Sequence, residues 1–168
     1  MIQRKVCLMG AYAVGKTSLV SRFVHSLFAD KYQTTIGVKI DRKTLRLEAT
    51  EVSLVVWDLA GEDRFHRVEA SYTRGASGLL LVADGCRAET VDRALELDDR
   101  ARGVVGEVPR ILALNKADLA AEWEVGEEQL QVVAARELPI VRTSAKVGDG
   151  VELAFRELAR RMLEFDPA

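Results

Sequence analysis

The apolar residues of this chain fall into short blocks that alternate with polar segments. Four blocks are continuous apolar runs, which is typical of strands buried on both faces of a parallel sheet. These runs are residues 6–9, 79–83, 111–114 and 140–141. Two longer runs, residues 38–47 and 52–57, flank a polar turn at residues 48–51 and predict a hairpin. We therefore expect six strands.

The first strand of the predicted hairpin breaks its own pattern. Its apolar positions change phase between Ile40 and Leu45. Because the side chains of a strand alternate between the two faces of a sheet, such a change predicts an extra residue or a strong twist. We expect a bulge or a strong twist near Lys43.

Between the strands, apolar residues recur every three or four positions, as on one face of a helix. These stripes are Leu19, Val20, Phe23, Val24 and Leu27; Val91, Ala94, Leu95 and Ala101; and Val151, Ala154, Phe155, Leu158 and Met162. A more polar helix is expected within residues 126–136. The alternation predicts an α/β fold, an open and mostly parallel six-stranded sheet with one antiparallel edge strand and helices on both faces. In such a fold the ligand loops lie at the carboxyl ends of the strands.

Composition narrows the class of protein. The chain has 168 residues, 48% of them apolar and 30% charged, which fits a single domain spanning residues 1–168. A net charge of -2 without a long basic run argues against nucleic acid as a partner. Two cysteines without metal-ligand spacing favour a reducing, cytoplasmic location. With no long apolar span and no lipidation signal at either end, we expect no direct membrane anchor in this chain.

The segment GAYAVGKT, residues 10–17, follows the first predicted strand directly and precedes the first helical stripe. This segment matches the sequence motif of a phosphate-binding loop, in which two glycines let successive N–H groups point at phosphate oxygens. Lys16 would reach the outer phosphates, and the Thr17 hydroxyl would bind Mg²⁺. The loop alone leaves ATPases, kinases and GTPases open.

Two further motifs follow the last two predicted strands, NKAD at residues 115–118 and TSAK at residues 143–146. A carboxylate can accept two N–H bonds from guanine but finds no such donor pair on adenine, so Asp118 is a candidate for selecting the base. Taken alone, the first motif is as often a turn with an aspartate helix cap. An ATP-dependent enzyme would leave both motifs without a role.

The motifs together, with TTIG at residues 34–37 and WDLAG at residues 57–61, resemble the Ras-like small GTPases, and their wording is most similar to the Rab branch. The resemblance spans nearly the whole chain and implies a P-loop NTPase fold that binds GTP or GDP with Mg²⁺. It implies that Thr17 and Thr35 ligate the ion and that Asp58 holds a metal-bound water. The implied nucleotide contacts are Ala13, Val14, Gly15, Lys16, Thr17, Ser18, Phe28, Tyr32, Thr35, Gly61, Asn115, Lys116, Asp118, Ser144, Ala145 and Lys146.

The resemblance further implies a molecular switch. The loops that contain Thr35 and Gly61 would be ordered by the γ-phosphate and would bind effector, exchange and activating proteins. Lys16, the Gly61 N–H and residue 62 would act in hydrolysis. The family usually has glutamine after that glycine to orient the attacking water, whereas this chain has Glu62. A carboxylate there lies against the negative γ-phosphate, so we expect slow hydrolysis.

Several alternatives stay open at this point. Glu62 either hinders hydrolysis or only faces solvent, and Tyr12, where well-known members have glycine, either crowds the γ-phosphate side or lies on the outer surface of the loop. Arg64, Arg67 and Arg74 are either internal cations for the γ-phosphate or solvated surface charges. The alternative function is a GTP-loaded interaction module with negligible hydrolysis.

Overall fold

The computed structural model describes residues 1–29, 37–59, 61 and 70–165. Six strands and four α-helices alternate along these residues. In chain order they are β1 (Ile2–Gly10), α1 (Lys16–His25), β2 (Val38–Leu47), β3 (Thr50–Leu59), β4 (Gly78–Asp84), α2 (Glu89–Val105), β5 (Arg110–Asn115), α3 (Glu127–Ala135), β6 (Ile140–Arg142) and α4 (Val151–Glu164). Short 3₁₀ turns occupy Ala70–Thr73 and Ala120–Glu122.

The six strands form one sheet in the order β2-β3-β1-β4-β5-β6. β1, β3, β4, β5 and β6 run parallel, and β2 pairs antiparallel with β3 at the edge. The predicted open sheet with one antiparallel edge strand is therefore confirmed. Because β1, β4 and β5 all run the same way, their carboxyl ends meet at one edge, and the loops after them converge there.

Helices cover both faces of the sheet, as predicted. One face carries α1 and α4, whose contact centres on the stacked rings of Phe23 and Phe155, 3.9 Å between centroids. The other face carries α2 and α3, packed on the apolar side chains of β4 and β5. The predicted buried stripes of α2 and α4 are buried in the structure. The two cores fix the sheet between helical layers and leave the loops at its edge to carry chemistry.

The predicted bulge near Lys43 is wrong. β2 and β3 pair without interruption from Val38 opposite Leu59 to Leu47 opposite Thr50. The phase change has another cause: Ile40 lies on the sheet face opposite to that of Leu45 and is 49% exposed. An edge strand tolerates an exposed apolar side chain at little cost, so the register need not shift to bury it.

The expectation that Leu27 continues the buried face of α1 is also wrong. The helix ends at His25, and Ser26 adopts a left-handed conformation with φ of 56° while its N–H bonds back to the last turn. A left-handed residue of this kind closes a helix. Leu27 therefore lies beyond the helix and is 63% exposed.

Candidate functional site

The loop between β1 and α1 has the shape that its two motif glycines require. A Cβ on Gly10 would lie 2.4 Å from the carbonyl oxygen of Val82, and one on Gly15 would lie 2.4 Å from the side-chain nitrogen of Asn115. Gly15 also has φ of 101°, a conformation that favours glycine. α1 begins at the next residue, so the N–H groups of its first turn face the loop. A helix N-terminus behind a curled loop is suited to bind phosphate.

Lys16 lies inside this loop and is 5% exposed. Its ammonium donates to the carbonyl oxygens of Gly10 and Ala11, at 3.2 and 3.1 Å. Burial lowers the pKa of Lys16 to about 8; the Asp58 carboxylate opposes this shift and the Arg87 guanidinium adds to it. The side chain is a desolvated cation, which an anionic ligand at the loop would stabilise.

The lowered pKa predicts how the stability of the ligand-free protein changes with pH. Below pH 8 the ammonium is charged in both the folded and unfolded chains, and its burial costs about 3 kcal/mol. Between pH 8 and the ordinary value of 10.5, the unfolded chain binds a proton that the folded chain has lost, so the free energy of unfolding rises with pH. Denaturant titrations of nucleotide-stripped protein from pH 7 to 10 measure this rise.

Lys16→Met is the control for that measurement, because it removes the titrating group and should remove this part of the pH dependence. A parent protein whose stability between pH 8 and 10 follows that of the methionine variant would contradict the burial of a charged Lys16.

Two oxygen ligands lie together beside Lys16. The Thr17 hydroxyl donates to Asp58 Oδ2 at 2.7 Å, which joins the start of α1 to the end of β3. Asp58 is fully buried. Among the described residues no three His, Cys, Asp or Glu side chains gather as a metal cluster. Hydroxyl and carboxylate oxygens suit Mg²⁺, which keeps several waters and draws other ligands from phosphates, so the pair fits that ion.

The loops after β5 and β6 lie beside this pocket, as their strand ends predicted. The Ser144 hydroxyl donates to Asp118 Oδ1 at 2.7 Å and accepts from the Val147 N–H at 3.2 Å. Ser144 is fully buried. One carboxylate oxygen of Asp118 is thus held by the protein, which fixes the plane of the group and orients the other oxygen.

Asn115 and Lys116 connect the two halves of the site. The amide of Asn115 donates to the Val14 carbonyl at 3.0 Å and accepts from the Thr143 hydroxyl at 3.0 Å. The Lys116 ammonium donates to the Ala13 carbonyl at 3.1 Å and lies 2.9 Å from Asp84 Oδ2. The Asn115 side chain therefore joins the loops through both its nitrogen and its oxygen, and its implied contact with the nucleotide stays a prediction.

Ala145, Lys146 and Phe28 are further predicted contacts that the structure describes. Arg22, on α1, donates to the carbonyls of Ala145 and Lys146. Ala145 is buried and Lys146 is exposed. Phe28 is half-buried against the core that α1 and α4 share. Arg22 thus braces the loop after β6, a role that sequence reasoning missed because the arginine belongs to no motif.

Gly61 lies against the phosphate loop. A Cβ at this position would come within 2.7 Å of the Tyr12 Cα and 3.2 Å of the Ala11 carbonyl oxygen, so only glycine lets the two backbones approach. The Tyr12 side chain is 39% exposed. The predicted residues Tyr32, Thr35, Glu62, Arg64 and Arg67 lie outside the described residues.

Two residues at the site carried no signal in the sequence. Asp84 ends β4 with a side chain only 3% exposed, and its Oδ2 pairs with both Arg87, at 3.0 Å, and Lys116. Burial alone would raise the pKa of Asp84, but hydrogen bonds from Lys116, the Cys86 N–H and Arg87 outweigh it and hold the pKa below its usual value. A single aspartate after a strand is a weak signal, and only the fold shows what it contacts.

Comparison with known proteins agrees with this geometry. The sequence profile of the Ras family matches residues 5–164. RABA2d of Arabidopsis thaliana is 38% identical, with 90% of this chain and 71% of that protein aligned. The GTP-binding protein ypt1 of Schizosaccharomyces pombe is 34% identical over 95% of this chain and 80% of its own length. Rab-1 of Theileria parva is 32% identical over 94% and 73%. The chain therefore belongs to the Ras family and is a Ras-like small GTPase.

Proposed function

We propose that this protein is a GTP-binding molecular switch that hydrolyses GTP slowly to GDP. The proposal rests on one observation: the short turn that carries the Asp118 carboxylate is hydrogen-bonded directly to the phosphate loop. Asp118 is held by Ser144, and the residues just before it in the same loop, Asn115 and Lys116, bond to the carbonyls of Val14 and Ala13. A guanine at Asp118 and phosphates at the loop would then belong to one ligand.

The residues of this chain would share the work of phosphoryl transfer. Lys16, the N–H groups that begin α1 and the Gly61 N–H would hold the phosphates in line and stabilise the charge that develops on them. Thr17 would ligate Mg²⁺, with Thr35 as a further ligand, and Asp58 would hold a water bound to the ion; the ion neutralises charge on the outer phosphates when it is bound. Positioning and charge therefore account for the chemistry, without a covalent intermediate.

Nucleotide competition tests the binding half of this proposal. GTP and GDP should displace a fluorescent GDP from the purified protein in the presence of Mg²⁺, and ATP should not, because adenine leaves the Asp118 carboxylate unpaired and desolvated. ATP competing at a concentration similar to that of GDP would contradict the assignment of Asp118.

Slow hydrolysis rests on Glu62, and we expect Glu62→Gln to leave the rate equal or to raise it. A neutral amide can orient water by donating and accepting without repelling the γ-phosphate. The measurement is single-turnover phosphate release from GTP-loaded parent and variant at saturating Mg²⁺.

Glu124→Gln, in the loop that precedes α3, is the matched control and should leave the rate unchanged. A parent that turns over quickly and slows sharply on Glu62→Gln would instead make Glu62 a working catalytic group. A parent and a Glu62→Gln variant that both retain GTP without measurable release would favour the alternative, a GTP-loaded interaction module.

The signalling half of the proposal concerns the loops that contain Thr35 and Gly61. We propose that effector, exchange and activating proteins bind there, in the cytoplasm. Ile40, 49% exposed, is paired with Trp57 across β2 and β3, which provides apolar surface on the two strands that adjoin these loops. Among the described residues no helix is long and apolar enough to cross a membrane. Hydrogen exchange that differs between the GDP and GTP-analogue states in both loops, with the sheet unchanged, would support a switch.

A further inference from the structure

Ala13 has a backbone conformation that its residue type does not favour. Its φ is 63°, in the left-handed region where a side chain is strained. Its neighbours in the phosphate loop, Tyr12 and Val14, are not glycines either. Such a conformation persists when surrounding contacts impose it, and residues of this kind concentrate at ligand clamps.

Two cations bond the peptides on either side of Ala13. Arg87 Nη2 donates to the Tyr12 carbonyl at 2.8 Å, and Lys116 Nζ donates to the Ala13 carbonyl at 3.1 Å. Both cations meet at Asp84 Oδ2, at 3.0 and 2.9 Å. The buried Asp84 carboxylate therefore binds both cations. The other bonds of Arg87 and Lys116 hold the peptides before and after Ala13.

The turn that carries Arg87 is held in place by Thr90. The Arg87 carbonyl accepts from the Thr90 hydroxyl at 2.7 Å and from the Thr90 N–H at 3.0 Å, in the turn that leads from β4 into α2. The Thr90 hydroxyl also accepts from the Asp84 N–H at 2.8 Å. With its backbone fixed in this way, the planar guanidinium bonds Asp84 through Nε and the Tyr12 carbonyl through Nη2 at the same time.

We infer that Arg87 is a positioning residue for the phosphate loop, an inference that rests on the proposed function. A trans peptide is planar, and its carbonyl and its N–H point in opposite directions. By holding the Tyr12 carbonyl towards α2, Arg87 turns the Ala13 N–H away from α2 and towards the phosphates of the bound nucleotide. Arg87 acts on the ligand through this peptide and stays outside the nucleotide pocket.

The inference predicts that Arg87→Ala speeds GDP dissociation about tenfold or more, since a charged hydrogen bond that fixes a phosphate-binding amide is lost. Arg87→Lys keeps the charge and is the conservative variant in case Arg87→Ala does not fold. It should also speed GDP dissociation, by a smaller factor. Arg136→Ala is the control, because Arg136 pairs with Asp99 at 2.7 Å on the α2–α3 surface. Stopped-flow release of fluorescent GDP measures the rates.

Phosphorus and amide NMR separate positioning from a general loosening of the fold. In the Arg87 variants the β-phosphate resonance of bound GDP and the Ala13 amide resonance should both move, whereas in Arg136→Ala neither should. Release at the parent rate with unmoved resonances, or faster release with an unmoved β-phosphate resonance, would overturn the role of Arg87 and leave the proposed function intact. A parent that does not bind GDP would overturn both.

Discussion

Replacing Lys16 with methionine should abolish nucleotide binding and, at the same time, stabilise the nucleotide-free protein. The ammonium is 5% exposed and its pKa is lowered to about 8 by burial, so the folded chain bears an energetic cost that an anionic ligand would offset. Methionine keeps the unbranched length of the side chain and removes the charge. We expect affinity for GDP to fall about 10³-fold or more, because a buried charged hydrogen-bonding partner is lost.

The two effects are measured separately, by calorimetric titration with GDP and Mg²⁺ and by denaturant unfolding of stripped protein at pH 7. We expect the free energy of unfolding to rise by on the order of 2 kcal/mol, somewhat less than the cost of the buried charge because two carbonyls lose a donor. Lys39→Met, at an exposed lysine of the edge strand β2, is the matched control for loss of charge. A Lys16→Met variant that still binds GDP like the parent would show that the loop has been misassigned.

Much of the fold and of the candidate site followed from the sequence because the relevant signals are local. Buried parallel strands leave continuous apolar runs, and the ends of such strands must meet at one edge. For that reason the positions of Asp58, Asn115 and Ser144 near the phosphate loop could be predicted from the strand ends alone. Gly15 could be identified because only glycine fits its positive φ. The type of each helix and strand, and its position in the chain, followed from the periodicity of apolar residues within single segments.

What the sequence did not predict depends on contacts between segments far apart in the chain. Arg87 reaches Tyr12 across 75 positions, and Arg22 reaches Ala145 across 123. Neither arginine differs in type or spacing from the many surface arginines of the chain. The prediction of a bulge near Lys43 was wrong for a related reason. A change in the phase of the apolar residues shows which side chains share a face of the strand, but it does not show whether that face is covered by other parts of the protein.

Asn115 shows how the two kinds of information combine. The resemblance implies that it contacts the nucleotide, and the structure shows its amide bonded to Val14 and Thr143. The motif would then serve two purposes, with its first two residues holding the phosphate loop and its last, Asp118, facing the base. Occupancy of the phosphate loop would thereby be linked to the position of the base-reading carboxylate, because one short turn carries both.

Substituting Asp118 with asparagine should change the preferred base from guanine to xanthine. A carboxylate can accept N–H bonds from guanine N1 and its exocyclic amine, whereas an amide can donate to the oxygen that xanthine has in place of that amine. Ser144 sharpens the prediction. Its hydroxyl donates to Asp118 Oδ1 at 2.7 Å, so in the variant the amide oxygen should occupy that position and the NH₂ group should face the ligand.

We expect affinity for GTP to fall about 10²-fold to 10⁴-fold and affinity for xanthosine triphosphate to rise until it exceeds that for GTP, since each base then either satisfies or leaves unpaired a desolvated polar group. Competition of both nucleotides against fluorescent GDP and fluorescent xanthosine diphosphate measures the change.

Asp149→Asn is the matched control, because Asp149 is an exposed aspartate of the adjacent loop and should leave the preference for guanine intact. Adding Ser144→Ala to Asp118→Asn should blur the new preference, since the amide can then rotate. An Asp118→Asn variant that keeps the guanine preference of the parent would show that another residue reads the base.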